Sequence, residues 1–330
     1  MRESAGTCMG ERRERERGMK IAVLGCGAMG GLFGGYLSRC HEVVLVDVNR
    51  ALVDKIKAEG LVIEEPDGSR AVYRPEITDN AHGMRPADLV IVFVKSMYSR
   101  AALQANQTLI DGHTYVMTLQ NGSGHEETLR EFVDDAHIII GTTQHNSAVI
   151  EMGYIRHGGS GITHMGGLAG DAVRLQPFAD AFTQCGLLAD CCEGVQRLIW
   201  QKMFTNVSAS VLTGILQVPL GYIASNPDAW GICETLIREA VAVANGDGMG
   251  FDAEEKIREV RAVCEKSPEG ITSICADLRD GRPSEVDTIS GSVVRASERN
   301  GVSAPGHRMI VKMVHAMEKR PDRQEHSKLI

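Results

Sequence analysis

The chain has 330 residues, 43% of them hydrophobic and 24% charged, with 35 lysines and arginines against 43 aspartates and glutamates. Its length calls for two domains, and a net charge of −8 without a long basic stripe excludes nucleic acid as a partner. No uninterrupted apolar run approaches the length of a membrane-spanning helix, so a soluble protein with no membrane partner is expected.

Residues 1–18, MRESAGTCMGERRERERG, are dense in mixed charge and have no apolar core, so they are expected to be a disordered extension. Met19 then opens a normal domain start. From Lys20 short β-branched runs alternate with helical stretches: KIAVLG, EVVLVD, DLVIVFVK, TYVMTLQ. Such runs, apolar throughout, are the pattern of a parallel sheet covered by helices on both faces. IIIGTTQHNSAVI and GYIRHGGSGITHMGG are expected to add strands near its edge. The predicted fold class is an α/β Rossmann-type dinucleotide-binding domain over residues 19–193. Beyond it strand signals fade and helical periodicity takes over, so residues 194–330 should form an all-α domain carrying substrate and catalytic groups. SPEG at Ser267–Gly270 and RPSEVD at Arg282–Asp287 read as helix starts within it.

The first strand runs into VLGCGAMGG, where Gly25, Gly27 and Gly30, with Cys26, Ala28 and Met29 between them, form a GxGxxG turn opening a helix. The first glycine permits the tight turn, the second lets a pyrophosphate approach the backbone, and the third allows close helix packing. Asp47 ends the second strand, where a carboxylate accepts hydrogen bonds from the adenosine ribose and repels a 2′-phosphate. That favours NAD over NADP, although Arg50 is close enough to turn toward such a phosphate. Lys95 ends VIVFVK and Asn121 follows YVMTLQ in an Asn-Gly turn, both at the strand ends where ligands bind. A solvated loop lysine and an ordinary turn pair are the plain alternatives; together the two are read as groups around the nicotinamide. His145, His157 and His164 place no pair on one helical face and have no accompanying carboxylate, so they are read as structural and no metal site is expected. The nine cysteines lack CxxC pairs, which fits reduced thiols in a cytoplasmic protein.

WQKMFTNVSASVLTGI holds a single charge, Lys202. Taken as one straight helix from Val195 to Ile215, it puts Trp200, Met203, Phe204, Val207 and Val211 on one face. Lys202, Asn206, Ala209, Ser210 and Thr213 then fall on the other. A solvated face would carry Glu, Lys and Arg, whereas this one is small and neutral apart from one ammonium, as a cleft wall is. A lysine with an amide at i+4 can donate to, and protonate, an oxygen that becomes negative during reaction.

The succession MKIAVLGCGAMGG, FVKS, LQNGSG, GTTQH, GGSGITHMG, WQKMFTNVSAS and SICADLRDGRPSEVDTISG resembles the ketopantoate reductases (2-dehydropantoate 2-reductases). The resemblance implies a Rossmann-type domain followed by a helical one, with the substrate in the cleft between them. It implies NAD(P)H-dependent reduction of 2-dehydropantoate to (R)-pantoate, on the route to pantothenate. By the same resemblance Lys202 is the general acid, Asn206 lines the substrate pocket, and Asn121 sits near nicotinamide and substrate. Lys95 lies on the cofactor side, Ser273 holds the substrate carboxylate, and Glu285 assists from the facing helix. NADP is the family's usual cofactor, so Asp47 is a departure. So are Ser210 and Ser290, which stand where asparagines are usual and would widen the pocket, leaving other 2-oxo acids open as substrates. A small 2-oxo acid is the implied partner, with a homodimer as one arrangement open to the chain. Two rivals remain: a 3-hydroxy acid dehydrogenase, whose DxPVSGG-like loop is missing, and a non-catalytic NAD(P)-binding sensor, against which the Lys202, Asn206 and Glu285 set argues.

Overall fold

The structure is a computed structural model that describes residues 18–170 and 172–320; residues 1–17 of the expected extension lie outside them. The chain divides into two compact units. Among the described residues, one comprises 18–120 together with 125–195, and the other 121–124 together with 196–320.

The first unit is built on the β-branched runs. Strands β1 (Lys20–Leu24), β2 (Glu42–Val46), β3 (Leu61–Glu64), β4 (Arg70–Tyr73), β5 (Glu76–Thr78) and β6 (Leu89–Val92) are followed by β7 (Tyr115–Thr118) and β8 (Ile138–Thr143). Then come β9 (Asn146–Glu151), β10 (Tyr154–Gly159), β11 (Thr163–Gly167) and β12 (Ala189–Cys191). Eight strands form one sheet in the order β12-β11-β8-β7-β6-β1-β2-β5. It is parallel except where β11 runs against β8. β1 lies between β2 and β6, with Ala22 paired to both Val44 and Val90. All residues of β1, β6 and β8 are buried, as a sheet covered on both faces requires. The helices of this unit are α1 (Ala28–Leu37), α2 (Arg50–Glu59), α3 (Ser99–Ala105), α4 (Glu126–Leu129) and α5 (Gln176–Gln184). Asn49 caps α2 by accepting from the Leu52 N–H at 3.2 Å.

The strands expected at the edge divide between two places. Fully buried β8 sits inside the main sheet, whereas β9 and β10 join β3 and β4 in a separate four-stranded sheet ordered β4-β3-β10-β9. β9 is exposed at nearly every position, so it cannot occupy a doubly covered layer.

The second unit is helical. It contains α6 (Val195–Thr205), a π-helical segment at Asn206–Ser210, α7 (Val211–Leu216), α8 (Leu220–Ser225) and α9 (Pro227–Gly246). α10 (Ala253–Lys266), α11 (Ser273–Arg279), α12 (Ser290–Asn300) and α13 (Pro305–Glu318) follow among the described residues. The longest, α9, starts where Asn226 accepts from the N–H groups of Asp228 and Ala229 and buries Trp230, Cys233, Ile237, Ala240 and Ala244. Neither expected helix start holds. SPEG follows the end of α10, and α11 begins at Ser273 behind a Thr272 cap. RPSEVD lies in a turn, and α12 begins only at Ser290. Burial of Ser284, Val286 and Ile289 folds this stretch onto the unit as a turn.

Candidate active site

The glycine turn is shaped by contacts that forbid side chains at two positions and leave room at the third. Gly25 has φ +96°, and a Cβ there would stand 2.8 Å from the Val94 nitrogen. A Cβ on Gly30 would lie 1.9 Å from the Gly25 carbonyl oxygen, so this glycine lets α1 start hard against the turn. A Cβ on Gly27 would meet nothing within 4 Å, which is the open approach a pyrophosphate needs at the N-terminus of α1.

Asp47 braces the turn. Its Oδ2 accepts from the Cys26 N–H at 2.8 Å and its Oδ1 from the Asn49 N–H at 2.9 Å. Each oxygen retains a lone pair for a further donor. Arg50 turns to Asp79 instead, Nε to Oδ2 at 2.9 Å, with its side chain 85% exposed. Cys26 is buried, and burial followed by the Asp47 carboxylate pushes its thiol up to about 12, which leaves it inert. The Met29 sulfur accepts from Ser147 Oγ at 3.3 Å. Lys95, half-buried, follows β6. Gln120, which sequence reasoning passed over, holds that strand end by donating to the Val94 carbonyl and to Ser99 Oγ, the latter at 2.9 Å.

The second unit carries Lys202, Asn206, Ser210, Ser273, Glu285 and Asn121. Lys202 keeps solvent-exposed surface, yet the protein around its ammonium is dense enough that burial lowers its pKa to about 8, against an opposing pull from the Glu285 carboxylate. Asn206 is half-buried and opens the π segment. That segment overturns the straight-helix assumption. Ala209 and Thr213 are fully buried and Ser210 keeps only 6% of its surface, so of the predicted polar face only Lys202 and Asn206 stay open to solvent. The small residues serve close packing: the Thr213 and Thr272 hydroxyls meet at 2.7 Å, and the Ser210 carbonyl accepts from Thr213 Oγ1 at 2.7 Å. Ser210 therefore does not offer its hydroxyl on an open surface. Ser290 is fully buried as well. Ser273 is exposed at the first position of α11.

Asn121 and Glu285, far apart in sequence, are joined through Thr288. Its carbonyl accepts from the Ser123 N–H at 3.0 Å, its hydroxyl donates to the Asn121 carbonyl at 3.4 Å, and its N–H donates to the Glu285 carbonyl at 3.1 Å. Gly122, at φ +101°, makes this approach possible, since a Cβ there would stand 2.1 Å from the Thr288 oxygen. Glu285 is half-buried in the turn, not on a helix.

Carboxylates do accompany two of the three histidines, contrary to the sequence expectation: His164 Nδ1 and Asp190 Oδ1 are 2.6 Å apart, and His157 has Glu65 beside it. With Cys192, His164 and Asp190 form a cluster whose donor atoms lie within 4.8 Å of one another. β11 and β12 pair these positions across strands, which no local spacing reveals. His145 and His157 stack, with Nδ1 and Nε2 3.2 Å apart, and His157 Nδ1 meets Glu65 at 2.9 Å.

Two family models match the chain, "Ketopantoate reductase PanE/ApbA" over residues 21–170 and "Ketopantoate reductase PanE/ApbA C terminal" over residues 194–318. The 2-dehydropantoate 2-reductase of Halobacterium salinarum is 30% identical over 303 residues, covering 91% of this chain and 99% of the relative. That of Lactococcus lactis is 29% identical over 306 residues, covering 91% and 98%. Among solved structures, D-mandelate dehydrogenase with NADH and anilino(oxo)acetate superposes with a TM-score of 0.85 at 29% identity, covering 91% of this chain and 98% of that one. A PanE/ApbA family ketopantoate reductase from Ralstonia eutropha superposes with a TM-score of 0.84 at 26% identity, covering 93% and 100%.

Proposed function

The chain belongs to the ketopantoate reductase family, oxidoreductases acting on CH–OH groups, and on that premise we propose that it reduces 2-dehydropantoate to (R)-pantoate with a nicotinamide dinucleotide. The observation that carries the reading is Lys202: an ammonium brought down to about 8 and coupled to Glu285 is matched to giving up a proton near neutral pH.

The first unit supplies the cofactor site. The backbone of the Gly25–Gly30 turn, with Cys26, Ala28 and Met29, receives the pyrophosphate, and Asp47 receives the ribose hydroxyls. Lys95 serves the cofactor side. A bound reduced nicotinamide supplies the hydride for the carbonyl carbon. Lys202 donates to the carbonyl oxygen and protonates it as negative charge develops there, and Glu285 keeps the ammonium charged until then. Asn206 and Asn121 orient the substrate and Ser273 donates to its carboxylate. Ser210 acts from within the π segment, setting the backbone around Asn206 and making no direct contact. NADH is the preferred cofactor, because Asp47 repels a 2′-phosphate and Arg50 is held by Asp79.

A second reading is favoured by one observation. The superposition on D-mandelate dehydrogenase with NADH supports an NADH-dependent reductase of a different, bulkier 2-oxo acid. Initial rates with 2-dehydropantoate and with smaller and aromatic 2-oxo acids, each with NADH and NADPH, test both readings. Highest kcat/KM on 2-dehydropantoate supports the first and on an aromatic 2-oxo acid the second. No turnover of any member sinks both.

A further inference from the structure

The turn that carries Glu285 is gripped by α13, the last described helix of the unit. Ser284 is buried, and Glu318, at the C-terminal end of α13, accepts through one oxygen both the Ser284 N–H at 2.8 Å and the Ser284 hydroxyl at 2.6 Å. One turn earlier on α13, His315 Nε2 lies 3.1 Å from Asp287 Oδ1. Residues three apart share a helix face, so one face of α13 holds the turn on both sides of Glu285. The Glu285 backbone is fixed from the other direction, its carbonyl accepting from the N–H groups of Thr288 at 3.1 Å and Ile289 at 3.0 Å.

The placement of Glu318 is informative. The last turn of a helix ends in unsatisfied carbonyls and disfavours negative charge. A carboxylate kept there needs compensation, and it finds two donors from a single buried residue; such charge-assisted bonds are stronger than neutral ones. The same Ser284 hydroxyl also accepts from the Val286 N–H at 3.4 Å. The chain entering and leaving Glu285 is thus set by one carboxylate.

We infer that Glu318, through Ser284, is a positioning residue for Glu285, with His315 and Asp287 as a second hold. The inference rests on the proposed pairing of Glu285 with Lys202. It is tested in the full chain with kcat and kcat/KM followed against pH, using 2-dehydropantoate or whichever 2-oxo acid of the panel above turns over fastest, beside a thermal melt of each variant. Glu318→Ala releases the turn, so kcat should fall by between about tenfold and a hundredfold, and the alkaline limb of the profile should move to lower pH, as in Glu285→Gln. Glu318→Gln, whose amide oxygen still accepts both donors, should keep most of the rate and the wild-type limb. Ser284→Ala loses the hydroxyl but keeps the N–H and should fall between; it carries the test if Glu318→Ala does not fold. Wild-type kcat and limb in Glu318→Ala or Ser284→Ala overturn the inference. So does a lowered melt with an unmoved limb, which is all that a merely structural latch would give. If Lys202→Ala and Glu285→Gln are crippled while the Glu318 and Ser284 variants are not, only the positioning role falls. If Lys202→Ala and Glu285→Gln turn over normally, the reading of the site falls and the latch with it.

Discussion

Ser123 donates its N–H to the carbonyl of Thr288 at 3.0 Å, and this bond ties the loop that bears Asn121 to the turn that bears Glu285. Between them stands Gly122, whose positive φ and 2.1 Å approach to the same carbonyl leave no place for a Cβ. Gly122→Ala must strain the backbone and push Thr288 away. We expect a loss of roughly 1–3 kcal/mol in unfolding free energy from the strain, read by chemical denaturation. The fall in kcat should be larger than stability alone explains, because Asn121 and Glu285 would shift together. A variant with unchanged unfolding and unchanged kcat would remove the joint role given to Thr288.

The Asp47 carboxylate holds the Cys26 N–H at 2.8 Å and is the group proposed to receive the ribose hydroxyls. Asp47→Ala takes away a charged acceptor worth roughly 1.5–3 kcal/mol. The ratio of kcat/KM for NADH over NADPH should therefore fall by at least about tenfold, most of it through KM for NADH. Arg50→Ala should leave the NADH value unchanged, since that side chain is committed to Asp79 on the surface. An unchanged cofactor ratio in Asp47→Ala would rule out the carboxylate as the discriminating group.

Phe204 is 1% exposed and meets the Phe251 ring edge-on at 4.9 Å between centroids. It belongs to the same helix as Lys202 but to the opposite, apolar face. Phe204→Ala should cost roughly 3–5 kcal/mol of stability through the cavity it leaves, seen as a lowered denaturation midpoint. Rates at low temperature should stay close to wild type where the fold persists.

That face was legible from spacing, as were the strands, because β-branched runs such as Leu89–Val92 have one way to be buried on both sides. The glycine turn and Asp47 were equally plain, since strand, turn, helix and acid are consecutive in the chain. Three features were not. The π segment at Asn206–Ser210 breaks the fixed angular step on which face assignment depends. The grip of Thr288 on the Asn121 loop and of Asp190 on His164 is long-range and leaves no local pattern. Arg282–Asp287 imitates a helix start, with a proline and a Ser-Glu pair, but burial of Val286 and Ile289 decides for a turn.

The pH profile tests the chemistry most directly. Burial lowers Lys202 to about 8 while Glu285 pulls the other way. With Lys202 as the proposed proton donor, ketone reduction needs the protonated amine, so kcat/KM, which reports the free enzyme, should be flat below about pH 8 and fall up to tenfold per unit above it. Oxidation of the hydroxy acid needs the neutral amine, so its rate should instead rise with pH toward a plateau. Glu285→Gln removes the charge that favours the ammonium, which lowers the Lys202 pKa further and moves the alkaline limb of reduction to lower pH. Lys202→Ala should fold normally, lose at least about a hundredfold in kcat and show no such limb. A limb that survives in Lys202→Ala belongs to another group, and one that moves to higher pH in Glu285→Gln contradicts the pairing.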